Sequence, residues 1–296
     1  MFDPPNPNAS VSAIIPCAVG FQRTTSNEVD MADLSVRARR CALHALFLLP
    51  YLLAACSQAP LKGPSPESAV PARTRQLVVA VAREKDGPRG VVRLFSGDGG
   101  AWRSESALWP AALGKHGVAW GIGLHPRQRG PRKVEGDGRS PAGRFRIGTI
   151  YGNAPRLPEG SKGWPYVQKT ARDTWIDDPK LPQYNHFVRI PEGQPLPDWF
   201  QSQSMRLETP VLEWLVFIEH NYPDAVPGMG SAVFIHKWHD AEDSTAACVA
   251  LPPERLTELI RWLDPALEPE LVLLSRKDYS RLWKAWGLPE PGAIGL

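Results

Sequence analysis

The 296-residue sequence has few cysteines and little net charge. It contains four cysteines, and its 34 Lys and Arg residues against 31 Asp and Glu residues give a net charge of +3. So small an excess gives no argument for binding to nucleic acid. The sequence also lacks internal repeats, which argues against a solenoid. Its 31 prolines and 25 glycines favour a loop-rich domain built from strands over a helical bundle.

The apolar run near the N-terminus is too short to be a stable membrane-spanning helix. It occupies residues 41–53, with the sequence CALHALFLLPYLL. Arg37, Arg39 and Arg40 precede it, and small residues follow it, which is the pattern of a secretory signal. We therefore interpret residues 31–55 as a signal peptide. Residues 1–30 show no amphipathic period, and we interpret them as a non-native or disordered extension.

The end of this signal, Leu53-Ala54-Ala55-Cys56, resembles the lipobox of bacterial lipoproteins. The resemblance implies cleavage before Cys56, acylation of its thiol, and a lipid anchor on the periplasmic side of the cell envelope. Ser57 follows Cys56, at the position where some lipoproteins have Asp. By similarity to the sorting rules of Gram-negative lipoproteins, a residue other than Asp favours the outer membrane. The alternative is an ordinary cleaved signal followed by a chance cysteine. Residues 56–75 are rich in Pro, Ser and Ala and predict a flexible tether.

From residue 76 onward the pattern predicts a single domain that is mainly β with a few helices, of the α+β class. Short apolar segments bounded by Gly, Pro and Asp predict strands at 76–82, 90–96, 101–109, 118–124, 145–151, 211–220, 232–236 and 270–275. Leu256, Leu259, Ile260 and Leu263 recur at helical spacing after Pro253 and predict an amphipathic helix. Residues 276–296 predict a C-terminal helical tail.

The stretch from Ser231 to Leu251 carries the candidate chemistry. His236 ends a predicted buried strand, and Cys248 begins another apolar run after a polar loop. A thiol attacks carbonyl carbons as thiolate, and an imidazole within hydrogen-bond reach can take its proton and later return it to a leaving amine. The loop contains small residues whose backbone N–H groups can stabilise an oxyanion. We therefore predict that Cys248 is a nucleophile and His236 its base.

The same residues resemble the L,D-transpeptidase catalytic domain family of the YkuD type. The matching positions are His236, then Thr245-Ala246-Ala247-Cys248, followed by apolar residues and a helix. Residues 136–145, GDGRSPAGRF, and the DDP and YN sequences at 177–179 and 184–185 also look like segments of this family. The resemblance covers residues 76–275 and implies a mixed β-sandwich or barrel with a helix after the cysteine strand.

The resemblance implies the reaction and its partners. Cys248 would attack the L,D-peptide bond of a peptidoglycan stem peptide, and the acyl group would pass to an amine or to water. No metal ion and no organic cofactor are implied. Ser244, Thr245 and His239 are candidate supporting residues, and Arg139 and Arg144 are candidate partners of the carboxylates of the stem. Solvated surface charges are an equal explanation for the two arginines.

Three departures from the family pattern bear on the reaction more than on the fold. Ala247 stands where the family usually has glycine, so a positive φ there would strain the loop. Ala246 and Ala250 replace a His and an Arg found in many members. The interval between His236 and Cys248 is also shorter than in many members.

Three alternatives remain open at this stage. His236, His239 and Cys248 are three plausible zinc ligands, although neither an HExxH motif nor a clear fourth ligand accompanies them. An L,D-carboxypeptidase or hydrolase of the same fold would use the same two catalytic residues. A non-catalytic, peptidoglycan-binding lipoprotein would retain the fold without turnover.

Overall fold

The computed structural model describes residues 70–71, 73–98, 101–205 and 210–296. The predicted extension at 1–30, the signal peptide at 31–55 and the lipidation site Cys56 lie outside the described residues, as does most of the tether. Within the described part of the chain, no helix is long and apolar enough to cross a membrane.

Eight strands form a closed sheet. Their order is β1-β13-β6-β10-β11-β12-β4-β2, and β2 closes the ring by pairing with β1. Short strands β3, β5 and β7 attach to this ring, and β8 pairs with β9 in a separate two-stranded sheet. The strands are β1 (Gln76–Ala82), β2 (Arg89–Gly97), β3 (Trp102–Ser104), β4 (Trp109–Ala112), β5 (Val118–Trp120), β6 (Ser140–Gly152), β7 (Tyr166–Gln168), β8 (Asp173–Trp175), β9 (Phe187–Arg189), β10 (Leu215–Ile218), β11 (Phe234–Lys237), β12 (Val249–Leu251) and β13 (Glu270–Ser275). The prediction of a mainly β fold with a few helices is confirmed.

Two pairs of neighbouring strands run parallel, β1 with β13 and β11 with β12, and the other pairs in the ring are antiparallel. β1 is buried along its whole length, as its unbroken apolar sequence predicts for a strand covered on both faces. Parallel neighbours need a connection that returns to the same end of the sheet. Between β11 and β12 that connection is the polar loop ending at Cys248.

The strands near the loop have two different faces. Val216, Ile235 and Val249 belong to the main hydrophobic core, whereas Phe217 and Phe234, the residues next to the first two, belong to a second cluster. This alternation is expected because successive side chains in a strand point to opposite faces. We call the two sides the core face and the outer face.

Two longer helices follow β12. α2 (Pro253–Trp262) has proline at its first position and buries Leu256, Leu259 and Ile260, as the sequence predicts. α3 (Arg276–Trp286) begins at Ser275, whose hydroxyl accepts a hydrogen bond from the N–H of Asp278, and ends at Gly287 in the left-handed conformation. Tyr279 and Trp286 of α3 are fully buried in the main core, so this helix packs with the sheet. The remaining helix, α1 (Phe200–Gln203), is a single turn.

Three predicted strands differ from those observed, and the one predicted at 118–124 is a strand only at 118–120. Residues 101–109 form β3 and the start of β4 instead of one strand, because β3 pairs with the end of β2 and β4 with its beginning. The chain must therefore leave one partner for the other between residues 104 and 109. Residues 211–220 contain a strand only at 215–218, since a 3-10 turn occupies residues 210–212. Pro210 starts that turn and has no N–H to give to a strand ladder.

A buried polar network holds the segment between β10 and β11. The His220 ring contacts the carbonyl of Met229 through Nε2 at 3.0 Å, and its Nδ1 accepts from the N–H of Ile122 at 3.1 Å. Burial lowers the pKa of His220 to about 4, and the nearby Lys133 charge acts in the same direction. The folded chain therefore keeps this imidazole neutral at a pH at which the unfolded chain binds a proton.

We expect His220 to make folding less favourable in acid. Its contribution is fully present above its usual pKa near 6.5 and is lost as the pH falls toward about 4, because the unfolded state binds the extra proton. From pH 7 to pH 5 the unfolding free energy of the native protein should fall, relative to that of His220→Gln, by about 2 kcal/mol. Urea unfolding at both pH values measures this difference.

The His220→Gln variant is needed as a reference because Asp177 changes the free energy of unfolding with pH in the opposite direction. Burial and the neighbouring Glu135 raise the pKa of Asp177 to about 7, which favours the folded state as the pH falls. Both proteins share that contribution, so it cancels. An identical pH dependence for the two proteins would contradict the assignment to His220.

Candidate active site

The parallel pairing of β11 and β12 places His236 and Cys248 on the same face. Ile235 pairs with Val249 and His236 with Ala250, so Cys248 continues the register opposite Phe234. Residues two apart in a strand share a face, and the diagonal from position 236 to position 248 spans about 8 Å between Cα atoms. Cys248 and Phe234 both belong to the outer cluster, in agreement with this register. The sequence prediction that neighbouring strands bring the two residues to one region is therefore consistent with the fold.

The thiol of Cys248 is almost completely enclosed. Cys248 is 4% exposed, and its Sγ lies 3.7 Å from the carbonyl oxygen of Ala232. Burial raises the pKa of the thiol to about 11, and the N–H of Phe234 and the charge of Lys133 oppose this rise only in part. At rest the side chain of Cys248 is therefore a neutral thiol rather than a thiolate.

His236 has the tautomer that a general base requires. Its Nδ1 lies 2.8 Å from the carbonyl oxygen of Lys237, and because a carbonyl only accepts, Nδ1 must carry the proton. Nε2 is buried and has no hydrogen-bond partner, which leaves its lone pair available. Burial lowers the pKa of His236, so the ring is neutral at pH 7. Within the described residues the thiol of Cys248 bonds to Ala232 and not to this ring.

The loop before β12 is held in place by hydrogen bonds to the carbonyl of Cys248. The hydroxyls of Thr245 and Ser140 donate to this oxygen at 2.7 and 2.9 Å, and Ser140 also accepts from the N–H of Gly114 at 2.8 Å. Thr245 is therefore a supporting residue for the cysteine backbone. Sequence reasoning missed Ser140, although it lies inside the GDGRSPAGRF segment, because a serine gives no local sign of a partner so distant in the chain.

The other candidate residues have different positions. Ser244 is exposed, and His239 is exposed and lies 3.7 Å from Asp243. Arg139 donates to Asp86 at 2.5 Å on the surface. The side chain of Arg144 is buried and binds Glu270 through two hydrogen bonds of 3.0 and 3.3 Å, which accounts for its charge without a substrate.

The three proposed zinc ligands do not form a metal site in the part of the chain that the structure describes. No group of three or more His, Cys, Asp or Glu side chains there is arranged to hold a metal ion. The Nδ1 of His236 already donates a hydrogen bond to the carbonyl of Lys237, and His239 is exposed to solvent. The alternative of a zinc centre therefore receives no support from the geometry.

Ala247 does not occupy a conformation that requires glycine. Among the described non-glycine residues, positive φ occurs at Asn185, Asn221, Ala232 and Glu268. Ala247 is 2% exposed and packs in the main core. Its methyl group therefore fills core space without straining the backbone, and the departure from the usual glycine leaves the loop conformation intact.

A cover of aromatic and aliphatic side chains encloses the thiol. The segment between β6 and β10 contributes Trp175, Met205, Val211 and Leu212 to the outer cluster. The Trp175 ring lies 4.9 Å from the ring of Phe234 and 4.5 Å from that of Phe217, measured between centroids. Because Cys248 is 4% exposed within this cluster, a molecule that is to reach Sγ must displace some of these side chains.

Asn185 connects the cover to the backbone at the thiol. Its Oδ1 accepts from the indole N–H of Trp175 at 3.1 Å and from the N–H of Ala232 at 3.0 Å. Its Nδ2 donates to the carbonyls of His220 and Asn221 at 2.9 and 2.8 Å. Asn185 is fully buried, and these four bonds use the full hydrogen-bonding capacity of its amide. Asn185 lies in the YN sequence, the one local signal that could have identified it.

We expect Cys248 to react slowly with iodoacetamide in the native protein. At pH 8 a thiol pKa of about 11 leaves about a hundredfold less thiolate than the ordinary value of 9.0. Trp175→Ala should open the cover and raise the alkylation rate about tenfold or more, because water then reaches the sulfur. Mass spectrometry of the peptide containing Cys248 follows the reaction.

Trp164→Ala is the matched control for this experiment. Trp164 is buried to a similar extent as Trp175, at 7% and 5% exposure, but belongs to the main core. General loosening of the fold would accelerate both variants equally, and such a result would contradict a specific role of the cover.

The chain is similar to a known family of catalytic domains. The family model described as the L,D-transpeptidase catalytic domain, YkuD, matches residues 88–272, more than half of the chain. No curated protein matches.

Two solved structures of one protein are similar to this chain at low identity. The helical cell shape determining protein Pgp2 from Campylobacter jejuni shares 12% identity, with a TM-score of 0.29, over 67% of this chain and 47% of that chain. A mutant of Pgp2 gives 12% identity and a TM-score of 0.30 over 67% of this chain and 46% of that chain. This chain thus spans about half the length of Pgp2. The family model, with its match over most of the closed sheet and the loop that carries Cys248, shows that the chain belongs to the L,D-transpeptidase catalytic domain (YkuD) family.

Proposed function

We propose that the chain is a cysteine-dependent L,D-transpeptidase that acts on peptidoglycan stem peptides. Family membership supports the reaction class. The observation that carries the proposal is the shared outer face of Cys248 and His236, with Nε2 of the histidine unpartnered and its other nitrogen held by a carbonyl. A neutral imidazole in this tautomer is suited to take a proton from a thiol.

The proposed reaction has two transfers. The thiol of Cys248 gives its proton to Nε2 of His236 and forms a bond to the carbonyl carbon of the L,D-peptide bond. The C–N bond breaks, and the departing amine takes the proton from the imidazolium. An acceptor amine then attacks the thioester, forms a new amide and releases the thiol, whereas attack by water gives hydrolysis.

The loop before Cys248 can stabilise the oxyanion of these steps. The backbone N–H groups of Ala246, Ala247 and Cys248 make no hydrogen bond within the described residues. Backbone donors that are fixed before the reaction stabilise developing negative charge without reorganisation. The bonds from Ser140 and Thr245 to the Cys248 carbonyl hold these donors in position.

A test is incubation of the protein with tetrapeptide muropeptides, followed by mass spectrometry of the products. Cross-linked dimers are the expected result, and tripeptide with free D-Ala would instead identify a carboxypeptidase. Cys248→Ala should lower turnover at least about a thousandfold, because a nucleophile cannot be replaced by its neighbours. His239→Gln should leave turnover unchanged, since that ring faces solvent.

Two inhibitors complete the test. Iodoacetamide should abolish turnover after prolonged incubation, and a metal chelator should leave it intact. Unchanged turnover in Cys248→Ala would refute the mechanism. The absence of turnover in the native protein, with muropeptides still bound, would favour the non-catalytic, peptidoglycan-binding alternative, which the enclosed thiol of the resting structure also fits.

We also propose that the domain is anchored through acylated Cys56 on the periplasmic side of the envelope, with the outer membrane favoured by Ser57. The signal-like segment and the Leu-Ala-Ala-Cys sequence support this localisation. Mass spectrometry of the N-terminal peptide from the membrane fraction should find an acylated Cys56, and Cys56→Ala should release the protein from membranes. A soluble native protein with an unmodified Cys56 would contradict this localisation.

A further inference from the structure

A cleft lies beside the outer cluster, on the same face of the sheet as Cys248. It has a volume of about 530 Å³, which is in the usual range for small-molecule sites. Thr74, Arg146, Gly148, Trp164, Glu219 and Glu270 are among the residues that line it. Neither Cys248 nor His236 lines it, but Arg144, one of the two arginines proposed from the sequence as partners of substrate carboxylates, does.

Gly148 shows that the cleft and the cover of the thiol adjoin each other. A Cβ at this position would lie 2.7 Å from Cδ1 of Phe217 and 3.2 Å from Oε1 of Glu219, so both side chains lie over the glycine. Phe217 belongs to the outer cluster with Cys248, whereas Glu219 lines the cleft. Glu219 follows β10, two strands from β12, so the cleft begins about 10 Å across the sheet from the cysteine.

The floor of the cleft is an internally satisfied ion pair. Arg144 binds Glu270 through two hydrogen bonds, and Glu270 also accepts from the hydroxyl of Thr74 at 3.0 Å. Both charged side chains are almost fully buried. Removal of either partner would leave an uncompensated buried charge, so the pair stabilises the cleft. Its hydrogen-bonding groups already bind each other and Thr74, which leaves little capacity for a ligand.

Two other charges in the cleft have no such partners. Glu219 and Arg146 are neighbours across two strands, since the N–H of Glu219 donates to the carbonyl of Arg146 at 3.1 Å. Within the described residues neither side chain makes a hydrogen bond or an ion pair within 4 Å. Glu219 is half-buried, and burial raises the pKa of its carboxyl group against the opposing effect of Arg146. A ligand that brings one charge of each sign would satisfy both groups.

We infer that this cleft binds a zwitterionic α-amino-acid group, with its ammonium at Glu219 and its carboxylate at Arg146. The inference rests on the proposed function, because such a group occurs at the free end of the diamino acid in a stem peptide. That end is carried on a flexible side chain close to the peptide bond that Cys248 would attack. The cleft would then select the stem and hold its reacting carbonyl near the thiol.

The test measures binding to the full chain carrying Cys248→Ala, so that no turnover occurs. Isothermal titration calorimetry compares three peptides. The first is the stem tripeptide whose diamino acid, diaminopimelate, has a free ammonium and a free carboxylate at the end of its side chain. In the second peptide that ammonium is acetylated, and in the third that carboxylate is amidated. The unmodified peptide should bind about tenfold more tightly than either analogue, because each modification removes one charge-assisted contact.

Charge-neutral variants assign each preference to a residue. Glu219→Gln should abolish the preference for the free ammonium and keep that for the carboxylate, and Arg146→Gln should do the reverse. Arg83→Gln and Glu84→Gln are matched controls, since these exposed residues follow the end of β1, whereas Thr74 of the cleft precedes its beginning. The controls should retain both preferences.

Each contrary result has a distinct meaning. Equal binding of the three peptides, no binding of any, or preferences that persist in both variants would overturn the inference about the cleft. Turnover of muropeptides by the protein with Cys248 intact is measured in parallel. If turnover is present and insensitive to Glu219→Gln and Arg146→Gln, the proposed function stands and the cleft assignment fails. If charge-selective binding occurs without turnover, the cleft assignment stands and the proposed function fails.

Discussion

The parallel pairing of β11 with β12 is the constraint on which the candidate site depends. It places His236 and Cys248 two residues apart along one face of adjacent strands. A shift of the register by one residue would turn Cys248 toward the core face and separate it from the histidine. The hydroxyls of Ser140, at the start of β6, and of Thr245, in the loop, oppose such a shift because both donate to the Cys248 carbonyl.

The outer face has two chemically different regions. Around Cys248 it is aromatic and aliphatic, and Asn185 ties Trp175 to the backbone of Ala232. Beyond Phe217 it becomes the charged cleft with Glu219 and Arg146. A ligand with an apolar part and charged groups at one end would be complementary to a face divided in this way.

The fold class could be predicted from the sequence because its signals are local, and the choice of His236 and Cys248 as candidates rests on equally local signals. The apolar period of α2, the apolar run at 271–274 within β13 and the spacing from His236 to Cys248 are each contained within a short segment. The role of Arg144 could not be predicted, because its partner Glu270 is 126 residues away. The cover was missed for the same reason, since Trp175 reaches Phe234 through tertiary packing that no local pattern encodes.

Enclosure of the thiol also determines how it must be activated. Burial raises the pKa of Cys248 to about 11 and lowers that of His236, so proton transfer from the thiol to the ring is unfavourable in the closed site. Desolvation is the largest cause of both shifts, so displacement of the cover would reduce both together. The same movement that admits a substrate would therefore make the thiolate and the imidazolium less costly. Access and activation would then be one event, and in the resting protein the cover slows the reactions of Cys248, the one free cysteine among the described residues.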